Sequence, residues 1–234
     1  QVQNFNSSYR IAGYTNSNSI AKDMLNIADQ NKTVKNLNYA YEGLGFNSYL
    51  LDTADGKFFS FVDLRRSVKQ TRDVVTSGRL NEINLSYAYS YQDVFYFGFS
   101  LGLPQVNFQS STTHTEQDDK DSMRVTVTSV SNYTTTYTND LPAIYQDKLG
   151  FNSLTYTEYF KTIGSGVNLK LGGLLRVNKF FRFGAYYHSP TFYTLTDTYY
   201  NQLNVSFDAN KNSPEFSKYP GTADGQFEYQ LITP

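Results

Sequence analysis

The chain of 234 residues has no cysteine, which excludes disulfides, thiolate metal sites and cysteine nucleophiles. It has two histidines, His114 and His188, and neither stands beside a nucleophile at a readable spacing. Catalysis that needs a nucleophile and a base within hydrogen-bond reach therefore has no foothold, and the chain reads as a non-enzyme that implies no cofactor. Neither charge predominates: 20 Lys and Arg stand against 21 Asp and Glu, so nucleic acid is not an expected partner. No apolar run approaches the roughly 18 residues that a transmembrane helix needs. A chain of this kind can cross a membrane only as a β-barrel. The mean hydropathy of -0.50 does not oppose that, because a barrel alternates lipid-facing and lumen-facing residues and carries polar loops. Tryptophan is absent too, yet 21 Tyr and 18 Phe bring the aromatic share to 17%, which suits strands and the aromatic girdles of barrels.

What is present is a pair of long hairpins with near-perfect alternation. Ile83, Leu85, Tyr87, Tyr89 and Tyr91 share one face against Glu82, Asn84, Ser86, Ala88 and Ser90. Gln92-Asp93 makes the turn, and Phe95, Phe97, Phe99, Leu101 and Leu103 answer Tyr96, Gly98, Ser100 and Gly102. The second hairpin sets Val167, Leu169, Leu171, Gly173, Leu175 and Val177 against Asn168, Lys170, Gly172, Leu174 and Arg176. After an expected two-residue turn at Asn178-Lys179, Phe181, Phe183, Ala185 and Tyr187 oppose Arg182, Gly184, Tyr186 and His188. Strands of roughly ten residues with tight turns at one end and long polar connections at the other are the signature of a transmembrane barrel.

Further strands are expected at residues 2–14, where Phe5, Tyr9 and Ile11 alternate with polar residues, and at Gly225–Leu231. Long loops are expected over about 15–78, 109–160 and 196–225. The first holds a helix over Ile20–Asp29 capped by Ser19, and then a second apolar patch over 44–51. The second loop reads as a threonine-rich hairpin over 125–137. In outer-membrane barrels the short turns are periplasmic and the long loops extracellular. About six strands are legible, fewer than the eight of the smallest such barrels, so strands outside these residues are expected. Gln1 opens directly into polar, aromatic sequence, and the last strand stops at Thr233-Pro234 without a closing turn. The whole, 1–234, therefore reads as one partial β-barrel domain, a mature chain or an internal fragment.

The stretch from Thr155 to Tyr199 resembles the FadL/TodX family of outer-membrane transporters, in particular its Bacteroidetes members. The motifs are Gly164-x-Gly166-x-Asn168-x-Lys170-x-Gly172 and Arg182-x-Gly184-x3-His188-Ser189-Pro190-Thr191, with Tyr193-x-Leu195-x-Asp197 and the final Leu231-x-Thr233-Pro234. The resemblance implies an all-β fold: an antiparallel transmembrane barrel of roughly fourteen strands, plugged by an N-terminal hatch. It also implies passive transport of hydrophobic compounds such as long-chain fatty acids or aromatic hydrocarbons. The hatch and the last strands of the pattern have no counterpart in these residues.

Two sets of candidate site residues follow. Met24, Leu25, Ile27, Leu44, Phe46, Leu50 and Leu51 form an apolar loop patch that could collect a hydrophobic ligand, or could simply hold the loop together. Lys170, Arg176, Arg182 and His188 share the polar parity of their strands and would line the lumen, as an anchor for an anionic group or as ordinary lumen wall. The acidic run Glu116, Asp118, Asp119 and Asp121 lacks the glycine and spacing of a calcium loop and reads as a solvated surface loop with no metal. The Asn-x-Ser/Thr triplets at Asn31, Asn84, Asn132 and Asn204 carry little weight.

The expected localisation is the bacterial outer membrane, and the expected partners are the lipid bilayer with its lipopolysaccharide and a hydrophobic ligand. A second reading keeps the barrel as an interaction subunit of an outer-membrane complex. A third is a soluble β-sandwich that binds glycans. The girdle of Phe95, Phe97, Phe99, Phe181 and Phe183 beside the tight turns favours the membrane.

Overall fold

Alternating strands leave every backbone N–H and C=O seeking a partner on a neighbouring strand, and this chain supplies those partners by folding on itself in sequence order. The computed structural model describes residues 2–31, 33–54, 56–60, 62, 66–120, 150–207 and 218–233. They form β1 (Val2–Thr15), α1 (Ile20–Asn31), α2 (Glu42–Asn47), β2 (Leu51–Ala54), β3 (Lys57–Ser60), β4 (Val68–Tyr91), β5 (Phe95–Gln117), β6 (Phe151–Arg176), β7 (Arg182–His188), β8 (Thr191–Phe207) and β9 (Lys218–Thr233). One antiparallel sheet runs β1-β4-β5-β6-β8-β9, with β7 beside β6, and β2 and β3 pair separately. Among the described residues the sheet is open, with β1 and β9 as its edges.

Because β7 and β8 lie end to end along β6, the sheet has the six lanes read from the sequence. The join is a slip. Lys170 pairs with His188, yet Val167 pairs with Phe192, so the β7–β8 lane gains one residue at Ser189-Pro190. Pro190 has no N–H for the ladder, and the Ser189 side chain fills the gap: its Oγ accepts from the Leu169 N–H at 2.8 Å.

The ends of the expected loops are strand. Of 15–78, residues 68–78 belong to β4; of 109–160, residues 109–117 and 151–160 are strand; of 196–225, residues 196–207 and 218–225 are strand. Threonine, serine and asparagine fill these strand ends. β-branched threonine suits a pleated surface, and period two persists without aliphatic residues to mark it. β4 has 24 residues, about 80 Å at roughly 3.3 Å per residue. The expected threonine-rich hairpin at 125–137 lies outside the described residues.

Gln92 and Asp93 do make the first turn, both with positive φ, closed by the Val94 N–H on the Tyr91 carbonyl. The second turn is wider than two residues. Val177 and Asn178 both donate to the Phe181 carbonyl, and Asn178 Oδ1 accepts from the Phe180 and Phe181 N–H groups.

The helices pack on one face of the sheet, here called the inner face. α1 begins where expected, with the Ser19 Oγ accepting the Ala21 N–H at 3.1 Å. Its buried stripe Ala21, Met24 and Ala28 meets Leu44, Leu50, Leu51 and Phe58, and all pack on Leu154, Tyr156, Leu203, Val205 and Ala223 of the sheet. Gly221 is tight against Leu44, which brings α2 close to β9.

Candidate functional site

The register fixes which side each residue takes, and the two faces exchange character partway along the strands. Near the tight turns the outer face is apolar: Tyr87, Tyr89, Tyr91, Phe95, Phe97, Phe99, Phe181 and Phe183 are all exposed. This band ends at one row. Ile83, Leu103, Val167, Phe192 and Ile232 form its last row, with Val167 paired to Phe192 and Phe192 to Ile232. The next outward row is Asn81, Gln105, Ser165, Thr194 and Gln230, paired in register across five strands. Beyond it the outer face stays mostly polar, carrying Arg10 bonded to Asp73 at 2.5 Å, and the threonines of β8. The guanidinium of Arg10 holds the Asp73 carboxyl below the usual carboxylate range. The band covers about nine residues of β4, β5 and β6, Ile83–Tyr91 for example, or about 26 Å along β4.

The inner face does the opposite. Beyond the boundary row it carries the helices on an apolar patch, among polar residues such as Arg72, Thr112, Glu158 and Asp197. Just below the helix core lie Phe5, Phe108, Phe160, Tyr199 and Phe227, with Phe108 6.2 Å from Phe5 and 6.3 Å from Phe160 between ring centres. Several of these rings rest on glycines of the next strand, Phe5 over Gly78 and Tyr199 over Gly225, as does Tyr193 over Gly166. Behind the apolar band the inner face turns polar and small.

A polar cluster stands where the two regimes meet. Lys170 Nζ donates to Glu82 Oε1 at 2.7 Å and to Asn84 Oδ1 at 3.2 Å. Asn168 Nδ2 donates to Thr191 Oγ1 at 3.2 Å and to Glu82 Oε1 at 3.4 Å, while its Oδ1 is buried without a hydrogen-bond partner. Gly102 makes the cluster possible. A Cβ there would fall within contact distance of Asn168 Oδ1 and 2.6 Å from Glu82 Oε1.

Below the cluster, Lys170 and His188 face each other across β6 and β7 and border an open hollow of about 540 Å³ with Ser86, Ser100, Gly172 and Tyr186. A second hollow of about 560 Å³ continues toward the turns over Ser90, Tyr96, Gly98 and Gly184. Arg176 and Arg182 pair at its far end. Of the sequence candidates, then, Lys170 and His188 come together, and Arg176 and Arg182 come together three inner-face rows below.

The apolar candidates fare differently. Met24, Leu44, Leu50 and Leu51 are fully buried in the helix core, whereas Leu25, Ile27 and Phe46 are half-buried. Four of the seven thus hold the loop together. The acidic run corrects the expectation of a solvated loop. Glu116 is fully buried on β5 and accepts from Ser19 Oγ at 2.5 Å, the Ile20 N–H at 2.8 Å, Gln70 Nε2 at 2.8 Å and His114 at 3.0 Å. It locks the start of α1 to the sheet. Asp118 is buried and Asp119 accepts from the Tyr14 hydroxyl, while Asp121 lies outside the described residues. His114 is therefore a strand residue, not a loop residue. Glu82, central to the polar cluster, carried no sequence signal beyond strand parity, whereas Asn168 stood in the Gly164–Gly172 motif without an assigned role. Among the described residues no helix is long and apolar enough to cross a membrane, a statement that leaves strands untouched. Compared with known proteins, the chain matches no family model, no curated protein and no solved structure.

Proposed function

We propose that this chain is part of the wall of an outer-membrane β-barrel that passes hydrophobic small molecules by diffusion. The observation that carries the reading is the outward boundary row: across five strands the surface changes from apolar to polar at the same height. A soluble sheet has no reason to end an exposed apolar face along one line, since solubility limits such patches wherever they occur. A bilayer has that reason, because its hydrocarbon stops at a plane. The change on the inner face, small and polar behind the outer apolar band and bearing the apolar helix core beyond it, supports the same reading. Lipid calls for apolar residues outside and polar ones inside, and the water beyond it calls for the reverse. Closure of the barrel would engage the edges β1 and β9 with further strands.

The hydrophobic cargo rests on the inner aromatic band of Phe5, Phe108, Phe160, Tyr199 and Phe227, which lies between the helix core and the polar hollows. An apolar compound entering from the helix side would meet this band first. The reaction involves no bond making, and no catalytic role is assigned.

One experiment tests the membrane reading directly. The described chain has no Trp, so Leu101→Trp and Thr113→Trp place single indole reporters inside and beyond the proposed band. Brominated lipids should quench Leu101→Trp strongly and Thr113→Trp little. Equal quenching at both positions would sink the proposal.

A second reading has its own support. β4 continues for about 43 Å beyond the boundary row, more length than crossing a bilayer requires. Its polar outer surface suits a partner protein, as in an accessory subunit of an outer-membrane complex. Cross-linking from Arg79→Cys or Thr113→Cys in intact cells separates the two, since a transporter working alone gives no specific adduct.

A further inference from the structure

Arg176 and Arg182 are direct cross-strand partners near the end of the β6–β7 hairpin, on the inner face shared with Lys170 and His188. Like charges placed opposite each other on one face of a sheet destabilise it unless something lies between them. Two cations elsewhere in the sheet have close carboxylate partners: Arg10 has Asp73 and Lys170 has Glu82. No ion pair of this kind joins Arg176 or Arg182 to a carboxylate among the described residues. The two nearby turns contribute Asp93 and Lys179, whose charges offset each other.

The surroundings leave room. Leu174 and Gly184 stand directly above the pair on the same face, and one pair further a Cβ at Gly172 would meet nothing within 4 Å. The hollow of about 560 Å³ over Ser90, Tyr96 and Gly184 ends at Leu174 and Gly184, the cross-strand pair next to the two arginines. Two guanidinium groups present planar, parallel donor pairs, the geometry that fits an oxyanion bidentately.

We propose that Arg176 and Arg182 hold an oxyanion, a phosphate or phosphate monoester, at the foot of the inner wall. This site depends on the β6–β7 register and not on the transport reading, so either can fail without the other. The phosphate has two possible sources, inorganic or organic phosphate in solution, or the headgroup of a lipid at the edge of the apolar band.

The test is the unfolding midpoint of the purified full protein in non-ionic detergent. Inorganic phosphate is titrated against chloride at constant ionic strength, and short-chain phosphatidate against a zwitterionic lipid of the same chain length. A ligand that binds the folded state alone raises the midpoint, by roughly 5–10 °C at a hundredfold excess over its dissociation constant. Arg176→Gln with Arg182→Gln should abolish the rise, and the double lysine variant, which keeps charge but loses the fork, should reduce it. A rise with inorganic phosphate identifies a soluble ligand, and one with phosphatidate alone identifies a lipid headgroup. If neither phosphate outperforms its control in the wild-type protein, or the double glutamine variant responds like wild type, the proposal is overturned. The wild-type comparison decides even if the variant fails to fold.

Discussion

Val167 faces Phe192 across β6 and β8, although Lys170, three residues along β6, faces His188, four residues back from Phe192, a register one residue different. The slip at Ser189-Pro190 has a consequence along the whole of β8. In a strand a one-residue shift moves every side chain to the opposite face. Without it Leu195, Leu203, Val205 and Phe207 would point outward, away from the helices, and the core would lose one wall.

Ser189→Ala should therefore destabilise the protein by about 1–3 kcal/mol, because the Leu169 N–H loses its acceptor. Deleting Pro190 should do far more, since it removes the extra residue and inverts β8. Unfolding midpoints in detergent measure both, and a Pro190 deletion of wild-type stability would show that the slip does not set the face.

Glu116 gathers four donors from three segments of chain in a buried position. Glu116→Ala leaves them without an acceptor, at a cost of about 3 kcal/mol, felt first where α1 meets the sheet. Hydrogen exchange over residues 20–31 should accelerate while β5 and β6 near the turns stay protected. Unchanged exchange in α1 would remove the carboxylate from the docking role.

Two glycines on the inner wall make a matched comparison. Gly102→Ala drives a methyl group into Asn168 and Glu82, and overpacking of this kind costs about 1–3 kcal/mol. Gly172→Ala meets nothing within 4 Å and should be neutral or slightly stabilising. Equal effects at the two positions would mean that the polar cluster does not press on Gly102.

The apolar band predicts where charge is tolerated. Leu101→Arg places a cation inside the band, one outward row from its edge, and should cost about 1–2 kcal/mol of folded stability in lipid, between the midplane and interface values. Thr113→Arg, beyond the boundary row on the same face, should be nearly neutral. Folding yields into vesicles report both, and a tolerant Leu101 would argue against lipid on that side.

Tyr41 docks α2 edge-on to Tyr156 and donates to Asp23 at 2.6 Å. Burial first, then that bond, pushes its phenol well above the ordinary tyrosine value. A raised value means that the fold favours the neutral phenol. Its contribution is complete below the ordinary value near pH 10 and is lost as pH climbs toward the raised one. The helices should undock from the sheet in that alkaline range, and Tyr41→Phe should flatten the loss. Loss of equal steepness in the variant would assign the alkaline limb to other groups.

The two hairpins were legible because Tyr, Phe and Leu alternate there with small and polar residues, and period two needs no partner to be seen. The extensions of β4, β5, β6 and β8 were not, because threonine and serine fill the face where aliphatic residues would announce a strand. The helix at Ser19 was legible from its cap. Glu116 was misread because a sequence shows a carboxylate next to other carboxylates, and only folding brings Ser19, Gln70 and His114 around it.

Alternation alone was enough to call for long antiparallel strands, to place Lys170, Arg176, Arg182 and His188 on one side, and to put the tight turn at Gln92-Asp93, because these follow from chemistry within one strand or one turn. Which face is buried, where the apolar band stops, and why it stops at the same row in five strands depend on register, and register is a relation between strands. The slip at Ser189-Pro190 is the clearest instance: one extra residue, invisible as a pattern, decides that the far half of the sheet has a core at all.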